Sequence, residues 1–488
     1  MNMNISELTP KSVWKNFESI TKIPRPSGKK EAISSYLESF GKSLHLETFR
    51  DKIGNVVIRK PATKGYEDHL GVILQAHMDM VPQKNSDITF DFEKDPIDAY
   101  IEGEWVTARG TTLGADDGIG LAAALSILED DNIAHPDLEV LFTVDEETGM
   151  YGALDLEAGV LKGKTLLNLD SEEEGYLYIG CAGGIDSTLT FDYLATTTPQ
   201  EDIGIRVSIK GCKGGHSGCD INLQRANAIK LLFRFLKEAV ANYEARLSSV
   251  RGGSLRNSIP REAEAVLTIP EEVYADFCEL VDEYEDLFIA EFDGVEDNLQ
   301  FSAEKVDLPP FVIPEEIQDS LIHSVIACPD GVYRMIPELP DIVETSNNLA
   351  IIDTQHIADN EYKIFINCLT RSSVESRKTE LAEAIDSCFA LAGAKVEFSG
   401  EYPGWKPNLN SRILSLMEDT YTNIFDKKPR IVTIHAGLEC GIIRKNYPQL
   451  DMISFGPTIK HPHSPDEKVN IQSVEKFYTL LKSVLEKL

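Results

Sequence analysis

Five short stretches of this 488-residue sequence hold histidine and carboxylate side chains at spacings that suit metal coordination and proton transfer. They read "QAHMDMVP", "LGADDGIG", "TVDEETG", "NLDSEEEG" and "GPTIKHPHSPDE". Each stretch ends an apolar run or lies beside glycine or proline. Imidazole and carboxylate groups are ligands of zinc-like divalent ions, and a further carboxylate can move protons. Taken together, the stretches predict a pair of divalent ions held by mixed nitrogen and oxygen ligands.

Most of these stretches also have a simpler interpretation when each is taken alone. His77 could be a structural histidine, Asp116 and its neighbour could cap a helix, and Asp170 could be a turn residue. The adjacent Glu146 and Glu147 are harder to explain, because two carboxylates at the end of a buried strand are costly unless a cation compensates them. The sequence has no HExxH stretch, so it does not predict a single-zinc site on one helix.

The composition indicates a folded protein with an acidic surface. Hydrophobic residues make up 42% of the chain, and 47 Lys and Arg against 80 Asp and Glu give a net charge of −33. Such a surface repels phosphate backbones, so we expect no nucleic-acid partner. We find neither a signal peptide nor an apolar run of the roughly 18 residues that a membrane helix needs, and we expect a cytoplasmic protein with free thiols.

The order of strand and helix patterns predicts two domains, one inserted into the other. Residues 1–185 alternate apolar strands with helices, which favours an α/β fold with a mixed, largely parallel sheet flanked by helices. Residues 186–400 alternate with period two, as antiparallel strands do, and include a helix predicted at 222–247. A strand–helix–strand pattern occurs there twice and indicates a duplicated β/α unit. The α/β character returns at 401–488.

Eight stretches carry a resemblance to a known family. "HMDMVPQKN", "GTTLGADDGIG", "TVDEETGM", "NLDSEEEG", "GGHSG", "RNSIPRE", "HAGLECG" and "GPTIKHPHSPDE" occur in this order along the chain. By them the chain resembles the co-catalytic metallopeptidases that include carnosinases, aminoacylases and succinyl-diaminopimelate desuccinylase, and within these the Xaa-His dipeptidases. The resemblance spans essentially the whole chain. It implies a two-metal, aminopeptidase-like catalytic domain at 1–185 and 401–488 and an α+β lid domain at 186–400.

The resemblance also implies which residues hold the two ions. His77 and Asp170 would hold one ion, Glu147 and His463 would hold the other, and Asp116 would bridge them. The histidine of "HSPDE" is the family ligand, and this selects the second histidine of the stretch rather than the first, His461.

Residues next to these ligands receive roles from the same resemblance. Glu146 would be the general base that takes a proton from the metal-activated water and passes it to the leaving amine. Asp79 would orient the metal-binding histidine two positions before it through the second ring nitrogen. Asp117 would be joined to the bridging aspartate by a cis peptide bond.

The resemblance provides four further candidates for contact with the substrate. His216, in "GGHSG", would stabilise the oxyanion of the tetrahedral intermediate, or it is an exposed loop residue. Arg371 would clamp the C-terminal carboxylate of the substrate, although an arginine after a strand is often only a surface residue. Asn257 is a similar candidate for contact with the substrate. Glu439 would receive the free amine of the substrate or shape the pocket.

The function implied by the resemblance is hydrolysis of Xaa-His dipeptides, β-alanyl-histidine included, with two divalent ions per subunit. Zn is the first expectation, and Mn and Co also suit these ligands. Asp170 is typical of the amino- and dipeptidases, whereas their acylase, carboxypeptidase and desuccinylase relatives carry Glu there. A broader dipeptidase or an N-acyl amino acid hydrolase is the alternative. The duplicated lid could replace a partner subunit, so both a monomer and a homodimer stay open.

Overall fold

The structure, a computed structural model, describes residues 4–488. The α-helices are α1 (Lys11–Ile20), α2 (Glu31–Ser43), α3 (Ala115–Glu129), α4 (Tyr151–Leu154), α5 (Ala228–Asn242), α6 (Tyr274–Glu291), α7 (Glu315–Ala327), α8 (Glu375–Leu391), α9 (Arg412–Phe425), α10 (Glu439–Asn446) and α11 (Ile471–Leu485). The strands are β1 (Glu47–Arg50), β2 (Val56–Lys60), β3 (Val72–His77), β4 (Ala99–Glu102), β5 (Trp105–Ala108), β6 (Leu138–Thr143), β7 (Thr165–Asn168), β8 (Tyr176–Cys181), β9 (Gly183–Leu194), β10 (Thr196–Thr197), β11 (Asp202–Lys210), β12 (Gly215–His216), β13 (Arg246–Gly252), β14 (Ser258–Ile259), β15 (Ala263–Pro270), β16 (Gln300–Val306), β17 (Phe311–Val312), β18 (Gly331–Ile336), β19 (Leu339–Ala358), β20 (Glu361–Ser372), β21 (Lys395–Tyr402), β22 (Arg430–Ile434), β23 (Asp451–Ser454), β24 (Ile459–Lys460) and β25 (Lys468–Asn470).

The chain divides into two compact units. Unit 1 comprises the chain up to Gly180 together with Trp405–Thr433 and Leu438–Leu488. Unit 2 comprises Cys181–Gly404 and Ile434–Gly437. Each unit has its own cluster of buried apolar side chains. The segment from 186 to 400, which the sequence predicts as an insertion, lies within unit 2.

Unit 1 is built on an eight-stranded mixed sheet in the order β1-β2-β6-β3-β7-β23-β8-β22. Its centre is parallel, because β3 pairs in parallel with β6 and β7, and β7 pairs in parallel with β23. Strands β1 and β2 on one side and β8 on the other pair antiparallel. Strands β3 and β6 are buried along their whole length, as expected for strands covered on both faces. The mixed α/β sheet predicted from the sequence is thus confirmed, with its parallel part confined to the middle.

Unit 2 contains two copies of one strand-and-helix arrangement. Its main sheet is antiparallel and runs β16-β11-β15-β13-β19-β20-β9-β21, with β18 paired to β19. The first half follows the chain order β11, α5, β13, β15, α6, β16, and the second follows β9, α7, β19, β20, α8, β21. Both halves therefore arrange four strands in one order, and they join where β13 pairs antiparallel with β19. The topology agrees with the duplication that the sequence pattern predicts.

The helix predicted at 222–247 is wrong at both ends. A 3₁₀ turn spans Ile221–Leu223, and Gln224 has a left-handed backbone with φ of 51°. Helix α5 begins only after Asn227, whose side-chain oxygen accepts hydrogen bonds from the first free N–H groups of the helix. At the other end Arg246 begins strand β13, because this segment pairs with β15. Helical periodicity alone does not show where a cap or a strand pairing interrupts it.

The helix lengths and the cysteine positions bear on two further features of the chain. Within residues 4–488, no helix combines the length and the apolar character that a membrane crossing requires. The sulfur atoms of Cys328 and Cys368 lie 4.0 Å apart, which is too far for a disulfide bond.

Asn227 joins the two halves of unit 2, and its replacement by alanine tests that connection. Its oxygen accepts from the N–H groups of Ile229 and Lys230 at 3.0 and 3.3 Å, and its amide donates to Asp330 Oδ1 and Leu349 O at 3.1 and 3.0 Å. We expect Asn227→Ala to lower the free energy of unfolding by about 2–3 kcal/mol, because a helix cap and a buried acceptor lose their partner. Chemical denaturation followed by circular dichroism measures this.

Asn242→Ala is the matched control, since Asn242 is the exposed last residue of the same helix. Equal denaturation midpoints for the two variants would contradict a stabilising role of Asn227.

Candidate metal centre

The residues predicted to coordinate metal lie at the ends of neighbouring parallel strands of unit 1. His77 is the last residue of β3. Glu146 and Glu147 follow β6, and Asp170 lies two residues after β7. Since β6, β3 and β7 are adjacent and parallel, their carboxyl ends meet at one edge of the sheet, where α/β folds commonly place their sites.

Asp116 stands between two histidines and presents one oxygen to each. Its Oδ1 lies 3.1 Å from His77 Nε2, and its Oδ2 lies 3.3 Å from His463 Nε2. His77 Nε2 is also 3.3 Å from Asp170 Oδ1, and His463 Nε2 is 2.9 Å from Glu147 Oε2. The carboxylate of Asp116 therefore belongs to two groups of potential ligands at once.

The side chains form three overlapping groups that could each hold an ion. They are His77, Asp116 and Asp170; Asp116, Glu147 and His463; and His77, Glu146 and Glu147, the ligand atoms of each group lying within 4.8 Å of one another. The first two groups share Asp116. Both histidines in "HPHSPDE" are exposed, and among the described residues it is His463 that joins Asp116 and Glu147 in a group, whereas His461 belongs to none of the three.

The backbone around Asp116 departs from helical geometry at the start of α3. The peptide bond between Asp116 and Asp117 is cis, as the resemblance implies, and both residues have non-helical dihedral angles. Asp117 Oδ1 accepts a hydrogen bond from the N–H of Gly120 at 3.1 Å. The Asp116 carboxylate is therefore presented by an irregular turn that precedes the regular part of α3.

Asp79 contacts both the histidine before it and the paired glutamates. The ring Nδ1 of His77 lies 3.2 Å from the backbone oxygen of Asp79 and 3.5 Å from its Oδ1. The carboxylate of Asp79 accepts hydrogen bonds from the N–H groups of Glu146 and Glu147 at 3.0 and 3.4 Å and from Ser27 Oγ at 2.8 Å. Asp79 thus fixes the loop after β6 as well as facing His77.

The electrostatics of the cluster show that it favours positive charge. Burial raises the pKa of Asp170 to about 7 and that of Glu146 well above its ordinary value, and neighbouring carboxylates add to both shifts. Hydrogen bonds with Asp116 and Glu147 raise the pKa of His463 to about 11. Although burial opposes it, the carboxylates around His77, Asp170 first, raise its pKa well above the usual range.

The donor set fits a pair of divalent cations. Glu147 Oε1 is buried and has no hydrogen-bond partner within residues 4–488. Burying a carboxylate oxygen without a partner is costly, and a cation at this position would compensate it. Two imidazoles and three carboxylates, one of them shared, match the mixed nitrogen and oxygen ligands of co-catalytic sites.

Glu439 is the first residue of α10, and its buried side chain contacts the strands β3 and β6 of the unit 1 sheet. It is 0% exposed, and its Oε2 accepts hydrogen bonds from Gln75 Nε2 at 2.6 Å and Thr143 Oγ1 at 2.7 Å. Asn168 in turn donates to Gln75 Oε1 at 2.5 Å. Burial raises the pKa of Glu439 to about 8, opposed by Thr143 and His77 and reinforced by Asp170. This geometry favours the second of the two predicted roles, shaping the site, over direct contact with a substrate amine.

The other substrate candidates converge within unit 2. His216, in β12, pairs with Ser258 of β14, and the N–H of Ser217 donates to the backbone oxygen of Asn257 at 2.8 Å. Arg371, at the end of β20, approaches Ser217 Oγ with its Nε at 3.4 Å. The turn "HSG" therefore brings the three predicted residues to one place in this unit.

His216 and Arg371 both have features of groups that bind an anion. His216 Nδ1 accepts hydrogen bonds from the N–H groups of Gly218 and Cys219 at 3.1 and 3.0 Å, which puts the ring proton of the neutral imidazole on Nε2. Arg371 is only 4% exposed, and its side chain forms no ion pair with any carboxylate of residues 4–488. Its guanidinium donates instead to hydroxyl groups, Ser217 Oγ at 3.4 Å and Tyr402 Oη at 2.8 Å.

Two residues near these clusters are absent from the predicted set. His435, in "HAGLECG", is buried in unit 2 with its Nε2 2.8 Å from Ser346 Oγ, and burial first, then Arg371 and His216, lower its pKa to about 3. Glu172, in "NLDSEEEG", has its pKa raised to about 8 by burial and then by Asp116. The one indication of either residue in the sequence is that it lies in the same short stretch as a predicted site residue.

Comparison with known proteins gives matches over nearly the whole chain. The sequence model of peptidase family M20/M25/M40 matches residues 73–487. The chain is 44% identical over 484 residues to the cytosol non-specific dipeptidase of Escherichia coli (strain K12), covering 99% of each protein. The crystal structure of aminoacylhistidine dipeptidase from Vibrio alginolyticus matches with a TM-score of 0.93 at 47% identity, covering 100% of this chain and 98% of that one.

A more distant solved structure shares the fold alone. The aminopeptidase PepT from Bacillus cereus matches with a TM-score of 0.61 at 16% identity, covering 98% of this chain and 99% of that one.

Removal of divalent ions tests whether the cluster is a metal centre. We expect a chelator to lower the unfolding temperature and added Zn²⁺ to restore it, because the buried carboxylates lose their compensating charge. Each ion present at about 1,000 times its Kd would contribute about 4 kcal/mol. Differential scanning calorimetry with chelator and with Zn²⁺ measures the difference.

Asp116→Asn should shrink that difference, since Asp116 belongs to both groups, whereas Asp68→Asn at an exposed position should leave it unchanged. If neither the chelator nor Zn²⁺ changes the unfolding temperature of the wild-type protein, the cluster is not a metal centre.

Proposed function

The chain belongs to peptidase family M20/M25/M40, and from that premise we propose that it is a dipeptidase that uses two divalent ions. The observation that carries the proposal is the pair of ligand groups that share Asp116. We propose Xaa-His dipeptides, β-alanyl-histidine included, as its preferred substrates, on the strength of the aminoacylhistidine dipeptidase that matches the whole chain.

The chain's own residues divide into ligands and a base. His77 and Asp170 would hold one ion, Glu147 and His463 the other, and Asp116 both. When bound, two ions of this kind supply the Lewis acidity that makes water nucleophilic at neutral pH and polarises a carbonyl group. Zn suits the ligands first, and Mn or Co are compatible with them.

Glu146 would act as the general base of the reaction. It adjoins the ligand Glu147 and groups with His77, yet it lies outside the two groups that share Asp116. Its carboxylate would take a proton from the attacking water and deliver it to the nitrogen of the leaving amino acid. The backbone hydrogen bond from Glu146 to Asp79 would keep the carboxylate in place for both transfers.

Three residues of unit 2 would bind groups of the substrate or of the intermediate. Arg371 is buried without a carboxylate partner among the described residues, so we propose that it binds the C-terminal carboxylate of a dipeptide, with Asn257 beside it. His216 would donate from Nε2 to the oxyanion of the tetrahedral intermediate. Glu439 would shape the site by accepting hydrogen bonds from Gln75 and Thr143.

A broader dipeptidase specificity is the second candidate, and the name of the Escherichia coli relative favours it. An N-acyl amino acid hydrolase is less well supported, because Asp170 matches the amino- and dipeptidase members. We also propose a cytoplasmic location, after the same relative, and a chain that works as a monomer or homodimer.

A substrate panel tests the proposed specificity. We expect turnover of β-alanyl-histidine and Leu-His and no turnover of N-acetyl amino acids. The C-terminal amides of the two dipeptides should be hydrolysed about tenfold or more slowly, because they lose the ion pair to Arg371. Initial rates with Leu-Leu and Leu-Ala separate an Xaa-His preference from broad activity. Brisk hydrolysis of N-acetyl amino acids without cleavage of Xaa-His dipeptides would overturn the proposal.

Substitution of the two adjacent glutamates separates ligand from base. Glu146→Gln should retain both ions and lose turnover by about 10²–10⁴-fold, the usual contribution of a general base. Glu147→Gln should instead weaken the binding of one ion. Metal content after dialysis and kcat measure the two effects. Glu146→Gln with near wild-type kcat would show that another group is the base.

A further inference from the structure

The stretch "PRPSG", residues 24–28, connects α1 to α2 and contacts the loops that carry the proposed metal ligands. Arg25 is 2% exposed, and its guanidinium donates hydrogen bonds to the backbone oxygens of Met78 at 3.1 Å, Asp79 at 2.7 Å and Gly114. In return, the N–H of Met80 donates to the backbone oxygen of Arg25 at 3.1 Å. One side chain therefore ties the loop after β3 to the loop before α3.

The fit of the guanidinium depends on glycine in the second of these loops. A Cβ added to Gly114 or to Gly118 would lie 2.6 Å from Arg25 Nη2. Gly114 also has a φ of 70°. The glycines that flank the two aspartates in "GADDG" thus leave the space that Arg25 occupies.

The same stretch reaches the loop after β6. Ser27 Oγ donates to Asp79 Oδ2 at 2.8 Å, and the N–H of Gly28 donates to Asp145 Oδ1 at 2.7 Å. The carboxylate of Asp79 in turn accepts from the N–H of Glu146 at 3.0 Å. Residues 25–28 therefore connect three of the loops at this edge, namely the loop after β3, the loop after β6 and the loop before α3.

Glu467 holds the loop before α3 from another segment. It is 2% exposed, and its carboxylate accepts hydrogen bonds from four consecutive backbone N–H groups. The donors are Leu113 at 2.7 Å, Gly114 at 2.9 Å, Ala115 at 2.7 Å and Asp116 at 3.3 Å. Because Glu467 follows His463 by four residues, it links the segment of that histidine to the backbone of Asp116.

Arg25 also supplies positive charge next to the acidic cluster. Burial lowers its pKa, and the attraction of Glu467, Asp79, Asp117 and Asp116 opposes that shift. A guanidinium stays protonated at neutral pH, and its planar fork presents several N–H donors in a fixed geometry, whereas the donors of an ammonium group all lie on one nitrogen. Arg25 forms no ion pair within residues 4–488. Its guanidinium donates its hydrogen bonds to backbone oxygens instead.

We propose that Arg25 and Glu467 are positioning residues that hold the ligand-bearing loops in their binding arrangement and thereby set the affinity of the two-metal centre. The proposal rests on the metal centre of the proposed function. Groups that orient the ligands of a metal commonly change its affinity by about 10–100-fold when they are removed. Neither residue touches the reacting atoms in this scheme, and each acts through the backbone of the segments that carry His77, Asp116 and His463.

Arg25→Lys and Glu467→Gln test the proposal. The first keeps the charge and loses the fork, and the second leaves part of the four N–H groups without an acceptor. We expect both variants to fold, to bind at least one ion about 10–100-fold more weakly in competition with a chromophoric chelator, and to change the visible absorption spectrum of the Co²⁺-loaded protein. At saturating metal, kcat should fall while KM for a dipeptide stays close to wild type.

Arg109→Lys is the matched control, because Arg109 is exposed in unit 1 and pairs with Asp98. Its metal affinity and Co²⁺ spectrum should equal those of the wild type. If Arg25→Lys and Glu467→Gln fold and bind both ions with wild-type affinity and spectrum, the proposal is wrong. It is also wrong if neither variant folds, since the residues are then needed for the fold itself.

Failure of this proposal is distinguishable from failure of the proposed function. Metal affinity and the Co²⁺ spectrum are measured without substrate. A wild-type protein that binds two ions but cleaves no dipeptide would overturn the proposed activity and leave the positioning role testable by the same variants.

Discussion

Buried negative charge at the edge of the unit 1 sheet is the constraint on which the rest of the site depends. The carboxyl ends of β6, β3 and β7 bring acidic side chains together where water is largely excluded. Carboxylates in such a place repel one another and lose hydration, so they persist only where positive charge and hydrogen-bond donors converge on them. The shared Asp116, with one oxygen towards each histidine, is the point where these requirements meet.

Backbone groups provide much of what the acidic side chains need. Asp79 accepts from the N–H groups of Glu146 and Glu147, and Glu467 accepts from four in succession. A backbone donor is fixed by the fold, so it loses little conformational freedom when it forms the bond. Ligands that are fixed in this way are held by the sheet and by α3, which are rigid. A precise metal site usually requires ligands on rigid elements.

Sequence reasoning worked where a side chain's type and its place at a strand end coincide. His77, Asp116, Glu147, Asp170 and His463 all follow apolar strands or lie beside glycine or proline, and the structure brings them together. The mixed sheet and the duplicated unit followed from periodicity in the same way.

Other features depend on contacts that no pattern of side chains records. The hydrogen bonds of Arg25 are made to backbone oxygens of residues far along the chain, so the sequence shows only an arginine between two prolines. The partner of His435, Ser346, is distant in sequence, so the sequence does not indicate their contact. The helical pattern at 222–247 likewise does not show that Asn227 caps the helix. Chain-distant partners and caps require the tertiary structure.

The duplicated arrangement of unit 2 has an evolutionary consequence. When two identical subunits meet, every substitution at the contact appears on both sides, whereas two halves of one chain can diverge independently. Here the turn that holds His216 and the segment of Asn257 belong to the first half, while Arg371 ends a strand of the second. Covalent linkage keeps the halves at a permanently high effective concentration, so each is free to specialise without losing its counterpart.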